Sequence, residues 1–355
     1  MIKNAKIAIV FTAEIVGGHE LMAINHLKKF VKKGFNITCF CPINNSKLTN
    51  LLRAGSLEFY SHNVIHKKME IIHAFINVKH IFSSVCLLHQ LRNKYDYIVI
   101  VQGDIELGAG FINASKMLGM NNVISYIPYT HSFKKMGSKA AFIKDFLSRF
   151  VYHNCCHYLT ICNTFSEQLI EKNNNATVRI LTNFVSNPPE TEQSKTVFDN
   201  LSESKVIRLL VAGRVFFRQK GQDTLINALC RIKYSSDIRL DIIGDGPDLE
   251  KLRSLAGELP GNIMVNFLGW KDNVWEYAKN IDAIIIPSNY EGVPLIMLEA
   301  IKRNVPIIAP ARDGMLDYIS NEHLYPIGDP EFECQALSEK IDDFIIKKFN
   351  CLSGC

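Results

Sequence analysis

Short apolar runs rich in β-branched residues recur along this chain, and each is followed by a longer stretch whose apolar positions have helical spacing. That alternation constrains the fold more than any other feature. A strand covered on both faces reads as a continuous apolar run, and parallel neighbours need a crossover long enough to hold a helix. In the first half the strand candidates are KIAIVF, FNITCFC, YDYIVIV, NVISYIP, YLTIC and TVRILT. In the second half they are VIRLLVAGR, IRLDIIGDG, NIMVNFLGW, DAIIIPS and VPIIAPA. Helical segments intervene, among them ELMAINHLKKFVKKG with Gly34 as its stop, DTLINALCRIKY, DLEKLRSLAGEL, NVWEYAKN and PLIMLEAIKR. The pattern predicts an α/β chain of βα units wound around parallel sheets.

A chain of 355 residues exceeds what one hydrophobic core organises, so two domains are expected. The break falls at 186–204, SNPPETEQSKTVFDNLSES, which carries a Pro pair and little apolar periodicity. The expected division is an N-terminal domain over 1–185, this linker, a second domain over 205–335 and a helix or tail over 336–355. Two doubly wound, Rossmann-like domains would face an interdomain cleft at their strand C-terminal edges, where ligands of open α/β sheets bind.

Several function classes drop out. No apolar run reaches the length of a transmembrane helix, and KIAIVF is too short and too soon followed by Glu14 to act as a signal peptide core. The ten cysteines include no C-x-x-C pair, so reduced thiols in a cytoplasmic setting are expected over a disulfide framework. The HNCCH stretch, His153 to His157, crowds its ligands too closely for ordinary zinc spacing, and buried thiols are the better reading. Charge is unevenly divided. Residues 1–185 carry 21 Lys and Arg against 10 Asp and Glu, whereas 186–355 carry 19 against 25. One half is thus suited to an anionic partner.

The stretch PSNYEGVPLIMLEA, 287–300, holds the densest chemistry. It follows the buried run DAIIIPS, turns through Asn289 to Gly292, and enters a helix whose first turn suits Pro294. The apolar face of that helix is expected at Leu295, Met297, Leu298 and Ile301. Glu291 then sits on the loop and Glu299 on an early turn, both able to meet a ligand above the strand edge. Gly292 permits close backbone approach, and the amides around Val293, Pro294 and Leu295 lie where a helix start receives an oxyanion. Either glutamate alone reads equally well as a solvated surface charge. Their company raises the reading: VAGRVFFRQKG places Arg214 and Lys220 after a strand, and DIIGDGPDLEKL supplies a Gly-rich turn after the next one.

Taken in order, GR…KG, GDGP, FLGW and PSNYEGVPLIMLEA resemble the donor-binding domain of the retaining GT-B glycosyltransferases of family 4 through about residues 206–320. Glu291 and Glu299 match that family's E-x7-E pattern. The resemblance implies that Arg214 and Lys220 bind the diphosphate of a nucleotide-sugar donor, that Glu291 holds sugar hydroxyls, and that Glu299 holds ribose hydroxyls. The backbone from Gly292 through Val293 and Pro294 to Leu295 would add contacts to phosphate and sugar.

The first half matches more loosely. Gly17 and Gly18 in FTAEIVGGHE open a helix after the first strand, and the family sets a similar Gly pair against the donor phosphates. His131 in YIPYTHSF lies just past a strand, like a family histidine that helps hold the donor sugar, and Asn183 resembles the Asn that closes the first domain. Residues 133–151, FKKMGSKAAFIKDFLSRFV, interleave Lys134, Lys135, Lys139, Lys144 and Arg149 with Phe142, Phe146 and Phe150. Such a helix suits either a core position with a solvated basic face or an anionic membrane surface, and the basic half favours the membrane.

The resemblance implies a retaining, metal-independent hexosyltransferase acting on a saccharide or lipid-linked saccharide acceptor in bacterial surface polysaccharide or lipopolysaccharide assembly, cytoplasmic or peripheral on the inner membrane face. His131, Arg214, Lys220 and Glu291 would carry the reaction. No D-x-D pair occurs, GDIE at 103–106 being the nearest, so no motif calls for a metal, and the donor is a substrate rather than a cofactor. The alternatives are a GT-B enzyme of another class, such as an epimerase, and a non-catalytic nucleotide-sugar-binding module. A nucleic-acid partner is not expected, since no recognition motif accompanies the basic residues.

Overall fold

The computed structural model describes residues 5–188, 206–278 and 280–353. Its contacts divide the chain into two compact units, Met1–Asn183 and Phe184–Cys355. Most of the expected linker, 189–204, lies outside the described residues.

In the first unit, β1 (Lys6–Phe11) is the axis of a seven-stranded sheet. After α1 (Gly18–Lys32) come β2 (Asn36–Pro42), α2 (Ser46–Ala54) and β3 (Phe59–His62). The chain then crosses by α3 (Glu70–Ile76) and α4 (Val78–Leu91) to β4 (Tyr97–Val101) on the other side of β1. It continues through α5 (Ala109–Met117), β5 (Val123–Tyr126), α6 (Ala141–Asn154), β6 (His157–Thr160), α7 (Asn163–Lys172) and β7 (Thr177–Ile180). The strand order is β3-β2-β1-β4-β5-β6-β7, all parallel. Winding reverses between β1 and β4, which opens a crevice at their C-terminal ends.

The second unit repeats this plan. Its strands are β8 (Val206–Ala212), β9 (Asp237–Ile243), β10 (Ile263–Gly269), β11 (Ala283–Ile285), β12 (Ile307–Pro310) and β13 (Leu324–Tyr325). They lie in the order β10-β9-β8-β11-β12-β13, again parallel, with the reversal between β8 and β11. The helices are α8 (Phe217–Lys220), α9 (Gln222–Leu229), α10 (Leu249–Ala256), α11 (Leu295–Lys302) and α12 (Pro330–Ser353). Ile207, Leu209, Leu240 and Ile242 from the sheet meet Leu337, Ile341 and Ile345 of α12 in one core. The C-terminal segment is therefore an integral helix that starts at Pro330, packed against α9. Each such buried aliphatic side chain contributes about 1.5–3 kcal/mol.

Three local readings change. NVWEYAKN forms only a 3-10 turn over Val274–Glu276, whose start Asn273 caps by accepting from the Trp275 amide. On α11 the buried positions are Met297, Leu298 and Ala300, while Ile301 is 39% exposed and Pro294 stands just before the helix. Lys144 does not join the basic surface of α6; it is buried, with its Nζ 2.6 Å from Glu106 Oε2 and over the Phe133 ring.

Candidate functional site

β8 ends at Ala212, and the chain runs through Gly213 and Arg214 to the single turn of α8, with Lys220 as its last residue. Gly221 then takes a left-handed conformation, φ 60°, and a Cβ there would lie 2.1 Å from the carbonyl oxygen of Pro287, so glycine is required. Gly244, at the end of β9, approaches Gly213 even more closely: a Cβ would stand 1.8 Å from the Gly213 carbonyl oxygen. The loops after β8, β9 and β11 thus pack backbone to backbone.

Hydrogen bonds fix this contact. The Asn289 amide donates to Gln219 O at 2.8 Å, and the Asn289 side chain donates to Phe217 O at 3.1 Å. Gln222 Nε2 donates to Arg214 O at 2.9 Å, and the Phe217 amide donates to Asp248 Oδ2 at 3.0 Å. That amide bond, with Lys251 beside it, holds the Asp248 carboxyl below its ordinary value.

The result is a pairing at the strand reversal. Lys220 Nζ donates to Glu291 Oε1, and the same oxygen accepts from Ser288 Oγ at 3.1 Å. Glu291 is 7% exposed, so these two donors rather than water satisfy its carboxyl oxygen. Its backbone is held from behind, since the Glu291 amide donates to Asp313 Oδ2 at 2.9 Å. Asp313 itself has φ 53°, a strained left-handed geometry of the kind that persists where the surroundings enforce it. Arg312 completes the support, donating to Asn289 O at 2.6 Å and pairing with Glu333 at the start of α12. A small cavity beside the pair is lined by Val211, Lys220, Gln222, Pro287, Ser288 and Pro294.

The remaining second-half residues sit apart from that pair. Arg214 brings its backbone to the loop contact, but its guanidinium is exposed and lies 5.7 Å from the Phe216 ring centroid. Glu299 accepts from Trp275 Nε1 at 2.7 Å, and the Arg303 guanidinium lies over the same indole at 4.2 Å. Gly292 and Leu295 are half-buried, and Val293 and Pro294 buried.

In the first unit, α1 begins at Gly18, and the Gly17 amide already donates to Glu20 Oε2 at 2.8 Å. The Glu20 carboxyl is buried, which raises its pKa. Burial pushes the neighbouring His19 down to about 4, and its ring lies 4.5 Å from that of Tyr126. His131 is buried between Tyr129, stacked at 5.4 Å, and Phe165, edge-on at 5.6 Å, with Lys135 Nζ 3.5 Å from its Nδ1. Asn183 ends the first unit.

Sequence reasoning passed over Ser288, Asp313 and Trp275. Asp313-Gly314 follows β12 more closely than Glu291-Gly292 follows β11, so no shared spacing from the strand ends marks it. It also passed over a buried carboxylate at the reversal of the first sheet. Glu70 accepts from the Gly108 amide at 2.8 Å and from His66 Nδ1 at 2.5 Å, with His80 Nε2 at 3.6 Å. Burial alone would raise the Glu70 pKa, but the two imidazoles outweigh it and hold the carboxyl low. Burial opposes charge on His66, and Glu70 outweighs that too, so His66 titrates above its ordinary value. Among the described residues no cluster of His, Cys, Asp and Glu suits a metal ion.

Two doubly wound parallel sheets, the second with a cation–carboxylate pair at its reversal, define a GT-B fold. The solved lipopolysaccharide outer core galactosyltransferase WaaB, in apo form, matches with a TM-score of 0.67 at 20% identity, covering 99% of this chain and 100% of that one. Anabaena Alr3699/HepE in complex with UDP and glucose gives 0.68 at 13% identity, with 97% and 91% covered. Residues 192–350 match the family described as Glycosyl transferases group 1. Lipopolysaccharide 1,6-galactosyltransferase of Escherichia coli (strain K12) is 30% identical over 188 residues, 50% of each chain. The chain spans about half the length of the curated relatives it matches.

Proposed function

We propose that this protein is a retaining hexosyltransferase. It moves a sugar from a nucleotide-sugar to a hydroxyl of a saccharide or lipid-linked saccharide in lipopolysaccharide or related surface polysaccharide assembly on the cytoplasmic side. The observation that carries this reading is the Lys220–Glu291 pair, set where an open α/β sheet binds its ligand. One member suits a diphosphate and the other suits sugar hydroxyls.

On donor binding, Lys220 turns from Glu291 to the diphosphate, joined by Arg214, and the backbone at Gly292 to Leu295 adds amide donors. Glu291, released, accepts from the sugar hydroxyls while Ser288 and Asp313 keep it in place. Trp275 fixes one oxygen of Glu299 and so orients that carboxylate for the ribose hydroxyls. The acceptor hydroxyl bonds to the anomeric carbon on the face from which the diphosphate departs. The bond from that carbon to the diphosphate oxygen breaks, and the hydroxyl proton passes to the departing oxygen. Negative charge on the leaving group is met by Lys220 and Arg214, without a call on a divalent ion. The first unit receives the acceptor.

UDP is the favoured nucleotide, because the Alr3699/HepE structure holds UDP and glucose and the 30% identical relative is a galactosyltransferase. A thermal-shift screen across UDP-, GDP- and ADP-sugars tests this, since a ligand at 100 times its dissociation constant adds about 2.7 kcal/mol. Stabilisation by UDP-sugars, followed by UDP release that EDTA leaves unchanged, is the expected result. Binding without release or transfer would assign the site to another reaction class, and stabilisation by none of the donors would remove the reading.

A further inference from the structure

The basic-aromatic segment that sequence reading singled out becomes part of a larger surface. On α6, Phe142, Phe146 and Phe150 recur at four-residue spacing and are exposed, Phe142 at 87%. Phe146 meets Phe150 edge-on at 5.4 Å, and Phe150 meets Phe75 of α3 at 6.3 Å. From Phe75 the apolar surface continues over the elbow where α3 gives way to α4 with an 87° bend. The elbow carries Ile76 at 71% exposure and Val78 at 77%. A run of this kind on a water-facing surface is costly unless something covers it.

Charge says what covers it. Over residues 64–95 and 132–154 the acidic residues are only Glu70 and Asp145. Both turn inward: Glu70 is buried on the Gly108 amide and His66, and Asp145 accepts from the Phe133 and Lys134 amides at 2.7 and 3.2 Å. Lys67, Lys68, Lys79, Lys134, Lys139 and Arg149 are exposed around the same helices. The outward surface is aromatic with a basic rim and no outward acid, which matches anionic lipid headgroups over acyl chains. Among the described residues no single helix is long and apolar enough to cross a bilayer, and the bent α3–α4 pair, which passes by length and composition together, packs Ile71, Leu88 and Leu91 into the core of the first unit, so contact is at the interface.

We infer that the α3–α4 elbow and the outer face of α6 together form a docking surface for an anionic lipid bilayer, with Phe142, Phe146 and the elbow tip entering the headgroup region. This does not depend on the transferase reading, since flotation needs no substrate. The test is flotation of the full chain with vesicles of phosphatidylcholine alone or mixed with phosphatidylglycerol, beside light scattering of the chain without vesicles. Recovery with the mixed vesicles only, falling as salt is raised, is expected. Each of Lys134→Gln, Lys139→Gln and Arg149→Gln lowers partitioning by about fivefold. Phe142→Ser with Phe146→Ser lowers it by more than about tenfold with an unchanged melting temperature, as both side chains are exposed. Equal recovery from both vesicle types, or wild-type flotation of the double Phe variant, would overturn the inference. A vesicle-free dimer that the double variant splits would assign the face to a second copy and overturn it as well.

Discussion

Glu291→Gln is the sharpest single perturbation. Glutamine keeps the shape of a side chain that is 7% exposed and can still accept from Ser288 Oγ, but it removes the charge that faces Lys220. The Lys220 side chain is 24% exposed, so water takes over part of its solvation. The stability cost therefore falls between that of an exposed and a fully buried pair, about 1–2 kcal/mol. The catalytic cost is larger. Loss of one preorganised charged contact to the transition state costs about 2–4 kcal/mol, which corresponds to a turnover lower by about 30- to 1000-fold. Donor affinity changes little, because the diphosphate is held by Lys220, Arg214 and backbone amides, and Lys220 no longer has to leave a counter-ion. A coupled assay of nucleoside diphosphate release, paired with a donor titration by thermal shift, separates the two effects. Turnover equal to wild type would refute the role of Glu291, and loss of donor binding with the fold intact would refute the division of labour between Glu291 and Lys220.

Other perturbations follow from the same geometry. Gly221→Ala forces a Cβ toward the Pro287 carbonyl at positive φ and destabilises the second unit by about 1–3 kcal/mol, read by urea unfolding. Trp275→Phe removes the 2.7 Å bond to Glu299 and raises the donor KM with little change in kcat, read by steady-state kinetics. His19, held neutral at about 4 in the folded state against 6.5 when unfolded, contributes stability that is present above pH 6.5 and lost as pH falls toward 4, by about 3 kcal/mol. The acid limb of the melting curve should flatten in His19→Phe. His66 has the opposite sign: its raised pKa contributes stability that is full below 6.5 and lost as pH rises through the folded value, a loss that His66→Gln abolishes.

Long buried strands were legible because they have one solution. A run such as VIRLLVA or KIAIVF, covered on both faces, cannot be placed at a surface. Of the edge strands, β7 and β10 were legible, but β3 and β13 were not. FYSH of β3 is largely exposed, and β13 is only Leu324–Tyr325, too short to show a period. Fixed by the sheet next to them, both take shape only through pairing. The site divides in the same way. Arg214, Lys220 and Glu291 announce themselves by following strands, whereas Asp313 acts through a backbone amide and Ser288 through a shared oxygen, contacts that leave no spacing in the chain. The buried ion pair of Lys144 with Glu106 was hidden for another reason: a lysine among exposed phenylalanines reads as surface until its distant partner is seen.

The central claim is that the cation and carboxylate joined at the reversal of the second sheet part to grip a sugar diphosphate. A crystal structure with a UDP-hexose bound tests it most directly. The account predicts Lys220 Nζ within hydrogen-bond reach of the diphosphate and Glu291 turned onto the sugar hydroxyls. A nucleotide bound elsewhere, with Lys220 still on Glu291, would contradict it.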